Sequence, residues 1–477
     1  MSASDMIALS PFLIIAAAPV AVMMLIAFYR RHALTVLLTM AGFAASFSSL
    51  FYSASVIPHS VTPLLVLDGY AFFYIGLILA AGFIVSALSY GYLDGREEDP
   101  EEFYLLLLIA TLGSMVLAAG GHFVSFFLGL EILSVSLYAM VAYVGTAEKG
   151  NEAGIKYLVL AAVSAAFLLF GMALVYAKFG TMEFSQIAGK AAEAGGGPLV
   201  IAGFALIIVG IGFKLALVPF HMWTPDVYEG APAPVTAYIA TVSKGAVFAL
   251  LLRYFGGALI HGNRTLFLAF ALISIASMFA GNLLALLQEN VKRVLAYSSI
   301  AHLGYLLVAF LAGGGLAVTA VSYYLAAYFV TTLGAFGVIT VMSGRERDAD
   351  AIEDYRGLAA SRPWLAGAFT VMLLSLAGIP LTAGFMGKFY VVAAGADSAL
   401  WLLVVLLAVN SAIGLFYYLR IIAVLFSPAG EGRRPYGPVS FLGGMATALL
   451  TAALFWLGIY PSFLIRIINN IAVAGFI

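Results

Sequence analysis

The chain contains no cysteine, which excludes disulfides, thiolate metal ligands and iron-sulfur ligation at once. Charge is scarce as well: only 9% of the 477 residues are Asp, Glu, Lys or Arg, with a formal net charge of -1. Such a balance offers no basic or acidic field to nucleic acid or other charged partners. No GxGxxG or Walker sequence, metal-ligand cluster, haem motif or catalytic triad stands out. What remains is apolar: 64% hydrophobic residues and a mean hydropathy of +1.08. Apolar runs repeatedly reach the length needed to cross a bilayer, so the chain reads as an all-α polytopic membrane protein. At the amino terminus an acid, Asp5, stands where a signal peptide is positive, and Arg30 and Arg31 follow the apolar run, which reads as a retained first helix.

About fourteen spans are expected from hydropathy. They group as three peripheral helices over 9–90, five over 103–256, five over 266–426 and a final one over 440–463, forming one transmembrane domain. With an even count both termini share a side. Placing Arg30 and Arg31 in the cytoplasm puts thirteen of the 22 Lys and Arg there, among them Arg96, Lys149, Lys156, Lys292, Arg293, Arg433 and Arg434. That bias predicts periplasmic termini in a bacterial inner membrane. The longest polar connection, 343–362, is too short for a soluble core, and the glycines at 195–197 read as a flexible outer loop.

Four basic residues escape the loops. Arg420 is near enough to the end of its span to snorkel, whereas Lys214, Lys244 and Lys388 lie well inside theirs. A charge near mid-bilayer costs roughly 2.5 to 3.5 kcal/mol, so each needs a partner, a water-filled cavity or a proton to exchange. Lysine suits proton exchange because it can lose its charge on burial, while arginine stays protonated. Lys214 sits in a seventh span, 199–220, interrupted by Pro219; Lys388 follows a second interruption over 378–385 in a twelfth span, 363–392. A proline leaves a carbonyl unpaired, which lipid tolerates only where protein or trapped water supplies a contact. Paired broken helices in two halves mark the transport site of many transporters. The groups of five spans therefore read as repeats, inverted because each holds an odd number.

Glu131 shares a helix face with Ser134 and Tyr138, which are placed to solvate its carboxylate, and pairing with Lys214 would let the two groups set each other's charge. Thr241 flanks Lys244, and Gly245 leaves room for water or a close neighbour. Ser298, His302 and Tyr305 form a polar stripe through the tenth span, and Tyr324, Tyr328 and Thr331 repeat that spacing in the next. Histidine relays protons through either ring nitrogen, though a packing role is equally common. His221, Asp226 and Glu229 fall in a turn-rich stretch read as a cytoplasmic loop of solvated or capping residues, and Lys156 is placed at the interface.

In GLEILSVSLYAMVAY, VPFHMWTPDVYEGAPAPVTAYIATVSKGA, VKRVLAYSSIAHLGYLLVAF and GIPLTAGFMGKFYV the chain resembles the antiporter-like proton-translocating membrane subunits of respiratory NADH-quinone oxidoreductase, complex I. It is most similar to the branch with lysine in helix 12, where the M type has glutamate, and without the L type's extended lateral helix. The resemblance implies fourteen helices with two inverted five-helix repeats and broken helices 7 and 12. It implies that Glu131 and Lys214 act as a coupling pair, Lys244 as central relay, His302 as connector and Lys388 as exit group. It also implies no cofactor in this chain, with FMN and iron-sulfur clusters in partner subunits. The partners are other antiporter-like and small membrane subunits, lipids and, indirectly, a peripheral redox arm. A subunit of a multi-protein sodium/proton antiporter and a structural spacer are the competing functions.

Overall fold

The computed structural model describes residues 2–144, 147–194, 197–256, 258–428 and 439–473. Of the features named above, Gly195, Gly196, Arg433 and Arg434 lie outside the described residues. Helices dominate because hydrocarbon offers the backbone no partner, and a helix satisfies every amide internally. Three come first: α1 (Ser10–Phe28), α2 (His32–Ser53) and α3 (Gly69–Leu93). A two-stranded antiparallel hairpin, β1 (His59–Val61) and β2 (Leu65–Leu67), pairs His59 with Leu67 between α2 and α3. Next come α4 (Glu102–Ala119), α5 (Phe123–Val141), α6 (Glu148–Phe179), α7 (Pro198–Leu215), the short α8 (Trp223–Gly230) and α9 (Ala233–Phe255). The second half holds α10 (Arg264–Leu286), α11 (Val291–Ala312), α12 (Gly314–Met342), α13 (Pro363–Ala377), α14 (Ala383–Asp397), α15 (Trp401–Phe426) and finally α16 (Phe441–Ile459).

Thirteen of these described helices are long and apolar enough to cross a membrane, and the fourteenth expected span is the broken pair α13 and α14. The helices separate by exposure. α9 and α11 are buried along their spanning windows and α12 nearly so, whereas α1, α2, α6, α15 and α16 leave most of theirs uncovered. Close helix pairs use small residues, since packing rather than hydrophobicity holds helices together in lipid. A Cβ on Gly281 of α10 would lie 2.6 Å from the backbone nitrogen of Ala301 in α11.

Both interruptions are built alike. α7 ends at Leu215 because Ala216 turns left-handed at φ 59°, and the N–H of Leu217 returns to the carbonyl of Gly212 at 2.8 Å. α13 ends at Ala377 because Gly378 is left-handed at φ 89°, and the N–H of Ile379 returns to Leu374 at 3.0 Å. This is the six-to-one closure that caps many helix ends. The expected seventh span is thus corrected: its helix stops at 215, ahead of Pro219, and the expected loop is mostly the helix α8, with Trp223, Val227 and Tyr228 buried. The amide freed at Val218 donates to the Ser277 hydroxyl of α10 at 3.0 Å, and Trp223 Nε1 donates to the Phe213 carbonyl at 2.9 Å.

The charged ends support the alternation of spans. At one end Asp348 accepts from Lys292 at 2.8 Å and Arg96 at 2.9 Å, Arg293 bridges Asp226 and Glu229, and Arg30 pairs with Asp99 and Glu102. At the other, Asp68 holds Arg253 and Asp5 holds His59. Arg420 donates to the carbonyls of Leu286 and Gln288, closing the last turn of α10.

Candidate functional site

Lys214 lies in the last turn of α7 and is 3% exposed. There the unpaired carbonyls of the helix end favour a cation. Its ammonium donates to Ser134 Oγ and Tyr157 OH, each at 2.8 Å. Trp223 stacks on Tyr157 with centroids 4.8 Å apart, so α8 closes an aromatic wall over the lysine. The expected contact pair with Glu131 is not formed. Glu131 is half-buried on α5 and makes no ion pair among the described residues, although the two charges are close enough to act on each other. Ser134, expected to solvate Glu131, serves Lys214 instead, because the side chain of Lys214 reaches it from across the α5–α7 gap.

Lys244 follows a π-helical turn, Ile239–Ser243, and is 1% exposed. A π turn inserts a residue into the helix and re-aims the side chains after it. The ammonium donates to Ser299 Oγ of α11 at 2.7 Å and lies 5.2 Å from the Tyr228 ring centroid. Ser299 also accepts from Tyr328 OH of α12 at 2.8 Å. Of the two occupants expected beside Gly245, the structure has the close neighbour, the Phe329 ring, and Thr241 bonds its own helix at Ala237.

One turn along α11, His302 is buried between two phenols. Nδ1 shares a 2.7 Å hydrogen bond with Tyr324 OH, and Nε2 shares one of 3.3 Å with Tyr418 OH of α15. Ser298 is bonded to the same Tyr418 hydroxyl. A cavity of about 10 Å³ bordered by His302, Tyr324, Tyr328, Thr331 and Ser375 matches the room of a single water. The expected stripes of α11 and α12 therefore converge on one point.

Lys388 is 8% exposed and reaches back to the end of α13, donating to the Ala377 carbonyl at 2.8 Å and to Ser411 Oγ of α15 at 2.6 Å. Lys214 and Lys388 flank their breaks on opposite sides in sequence: Lys214 is a residue of the last turn of α7, whereas Lys388 brings its ammonium back to the carbonyl end of α13. Tyr305 places its ring 5.2 Å from Lys388 and its hydroxyl against Asn282 of α10. A cavity of about 370 Å³ opens beside Lys388 between α13, α14 and α15.

The remaining expected residues lie at the charged end. Lys156, on the accessible face of α6, pairs with Glu152 at 2.7 Å and Asp226 at 2.9 Å. Asp226 and Glu229, expected to be solvated or capping, are instead joined to Lys149, Lys156 and Arg293. Burial opposes their charge, but Arg293 and the lysines outweigh it, so both carboxyls are held below their ordinary range. His221 is buried in the break, and among the described residues neither of its ring nitrogens has a hydrogen-bond partner. Tyr157, Ser299, Tyr418, Ser411 and Asn282 had not been singled out; their only signal was a polar atom in an apolar span.

A buried line of lysines, hydroxyls and one histidine, set at two broken helices, defines a class of ion-translocating membrane subunit. Residues 120–414 match the family model described as NADH:quinone oxidoreductase/Mrp antiporter, TM, and the chain belongs to that family. It is similar to NADH-quinone oxidoreductase subunit N of Ectopseudomonas mendocina, at 49% identity over 99% of this chain and 98% of that protein. It is likewise similar to subunit N of Nitrosospira multiformis, at 54% identity over 98% and 96%. Among solved structures, a chain of respiratory complex I from Thermus thermophilus matches with TM-score 0.84 and 34% identity, covering 98% of this chain and all of that one. A chain of the Mrp complex of Dietzia sp. DQ12-45-1b, 20% identical, shares the fold with TM-score 0.86 over 100% of this chain and 98% of its own.

Proposed function

We propose that this chain carries protons across a bacterial inner membrane as part of an NADH-quinone oxidoreductase, through Glu131, Lys214, Lys244, His302 and Lys388. One observation carries the reading. Lys214, Lys244 and Lys388 are all buried, and among the described residues none has a carboxylate partner; each is held only by neutral oxygens and ring faces. A lysine kept for packing is paired, because an unpaired buried charge is strongly destabilising. An amine held by neutral acceptors is stable in either protonation state and suits exchange.

In this mechanism a neighbouring membrane subunit, driven by quinone reduction elsewhere, moves charge near Glu131. Drawing that negative charge away removes the field favouring the Lys214 ammonium, which passes its proton towards Lys244. From Lys244 the proton moves to Ser299 and, once the Tyr328 hydroxyl turns from donating to Ser299 to accepting from it, through Tyr328 to Tyr324 and His302, then to Lys388 and the cavity beside it. Carrying one proton against 100 mV costs about 2.3 kcal/mol. At an effective dielectric of about 20, a unit charge withdrawn from about 7 Å away changes the energy of Lys214 by roughly 2.4 kcal/mol, so no contact pair is needed to match the cost of one proton.

The two groups of helices, α4–α9 and α10–α15, act as inverted repeats around this line. The end bearing Arg96, Lys292 and Arg293 faces the cytoplasm, and both termini are periplasmic. Flavin and iron-sulfur clusters belong to partner subunits. The test is Lys244→Ala in the assembled complex in inverted vesicles: NADH-driven acidification is lost while the complex still inserts. Normal acidification overturns the relay, and sodium-dependent transport would favour cation antiport.

A further inference from the structure

Away from the relay, a cavity of about 560 Å³ opens where the ends of α3 and α12 meet the start of α16, at the end of the bundle that bears Arg96 and Lys292. α3 and α16 come together at Gly91, where a Cβ would lie 2.3 Å from Ser440 Cβ. Three charges border the cavity. Arg96 is spent within the protein: it pairs with Asp348 at 2.9 Å, donates to the Gly344 carbonyl and lies 3.8 Å from the Tyr92 ring centroid. Arg345 and Asp94 are not. Both are exposed, and among the described residues neither side chain has a hydrogen-bond or ion-pair partner, nor do they pair with each other. The Arg345 guanidinium lies over Gly95, where a Cβ would come within 2.9 Å of Cζ, so the left-handed glycine beside Asp94 makes room for it.

Apolar surface continues from the cavity. Phe441, Met445 and Leu449 are 78%, 54% and 60% exposed and, four residues apart, form one stripe down α16, a helix that leaves most of its spanning window uncovered. The first amides of α16 have no partner within the helix and favour an anion at its start. We propose that this groove binds one phospholipid with an amine headgroup, of the phosphatidylethanolamine class: Arg345 takes the phosphate, Asp94 the ammonium, and the stripe of Phe441, Met445 and Leu449 an acyl chain. A guanidinium matches phosphate oxygens two at a time, and a carboxylate accepts hydrogen bonds from a primary ammonium, whereas a quaternary one has no hydrogen to give. An unpaired cation and an unpaired anion on one rim suit a zwitterion better than a lipid of single charge. Lipid binding here is independent of proton transfer through Lys244.

The test is photolabelling of the assembled, delipidated complex in detergent with phosphatidylethanolamine that carries a diazirine on one acyl chain, followed by peptide mapping and competition. Label is expected on α16 between Phe441 and Leu449. Unlabelled phosphatidylethanolamine should displace it at lower concentration than phosphatidylcholine or phosphatidylglycerol. Glycerophosphoethanolamine, which has the headgroup and no chains, should compete more than about tenfold more weakly, because each buried methylene adds affinity. Arg345→Gln should weaken competition by all three lipids about tenfold, the scale of one charge-assisted hydrogen bond. Asp94→Asn should erase the advantage of ethanolamine over choline. Both residues are exposed, so assembly should be unchanged, and Arg264→Gln, which removes an exposed cation at the opposite end of the bundle, should alter neither labelling nor competition. Label placed elsewhere, equal competition by the three lipids in the wild type, wild-type competition in Arg345→Gln or Asp94→Asn, or an equal loss in Arg264→Gln overturns the proposal. Displacement by glycerophosphoethanolamine as strong as by the lipid would make this a site for a soluble phosphate ester and overturn the lipid assignment.

Discussion

Ser299 is the narrowest point of the line, since it accepts from Lys244 and Tyr328 together. Ser299→Ala removes the shared acceptor and leaves a buried ammonium with one fewer oxygen. Its expected effect is a loss of roughly 1 to 3 kcal/mol in holding the charged form of Lys244, seen as slower NADH-driven acidification at unchanged assembly. Equal acidification by variant and wild type would remove Ser299 from the path. The three lysines were legible in the sequence because a charge inside an apolar run is rare and costly. Their partners were not, because serine and tyrosine recur throughout the spans, 25 tyrosines in all, and a one-dimensional pattern does not say which hydroxyl faces which helix. Glu131 shows the same limit: its helix face was readable, but whether Lys214 would reach it or Ser134 depended on side-chain direction across α5 and α7.

The broken helices show what an element reveals and conceals. Gly378 announced the second interruption, since glycine takes a left-handed backbone without steric cost. The first was read from Pro219, yet the turn is made by Ala216, whose left-handed φ of 59° no residue pattern marks. Two opposite substitutions follow. Ala216→Gly relieves the backbone and should raise thermal stability by up to about 1 kcal/mol, with pumping retained, because the carbonyl end beside Lys214 keeps its shape. Gly378→Ala forces a Cβ to within 2.8 Å of Lys388 Cδ at φ 89°, so it both strains the turn, by about 1 to 2 kcal/mol, and displaces the ammonium. The expected outcome is a lower melting temperature of the assembled complex together with a marked fall in acidification. If Gly378→Ala shifted stability alone, the position of Lys388 at the break would be irrelevant to transport.

At the scale of the whole molecule, about fourteen spans were readable from hydropathy, thirteen of them found as long apolar helices and the other as the broken pair α13 and α14, whereas the contacts that join distant loops were not. Asp348 is the clearest case: lying in the connection between α12 and α13, it ties that loop to Arg96 after α3 and Lys292 at the start of α11. Burial opposes its charge, but Lys292 and Arg96 more than offset that, and its carboxyl is held at about 2. The folded value is below the unfolded one near 3.9, so its contribution is complete above pH about 4 and is lost as the pH falls towards 2. Asp348→Asn leaves two cations without their partner in a buried site and should cost roughly 3 kcal/mol at pH 7. Thermal unfolding of the purified complex in detergent, followed from pH 7 down to 2, checks both points. The wild-type curve should decline towards the variant's below pH 4, and a constant gap between them across that range would mean that the loop is held by something other than this carboxylate.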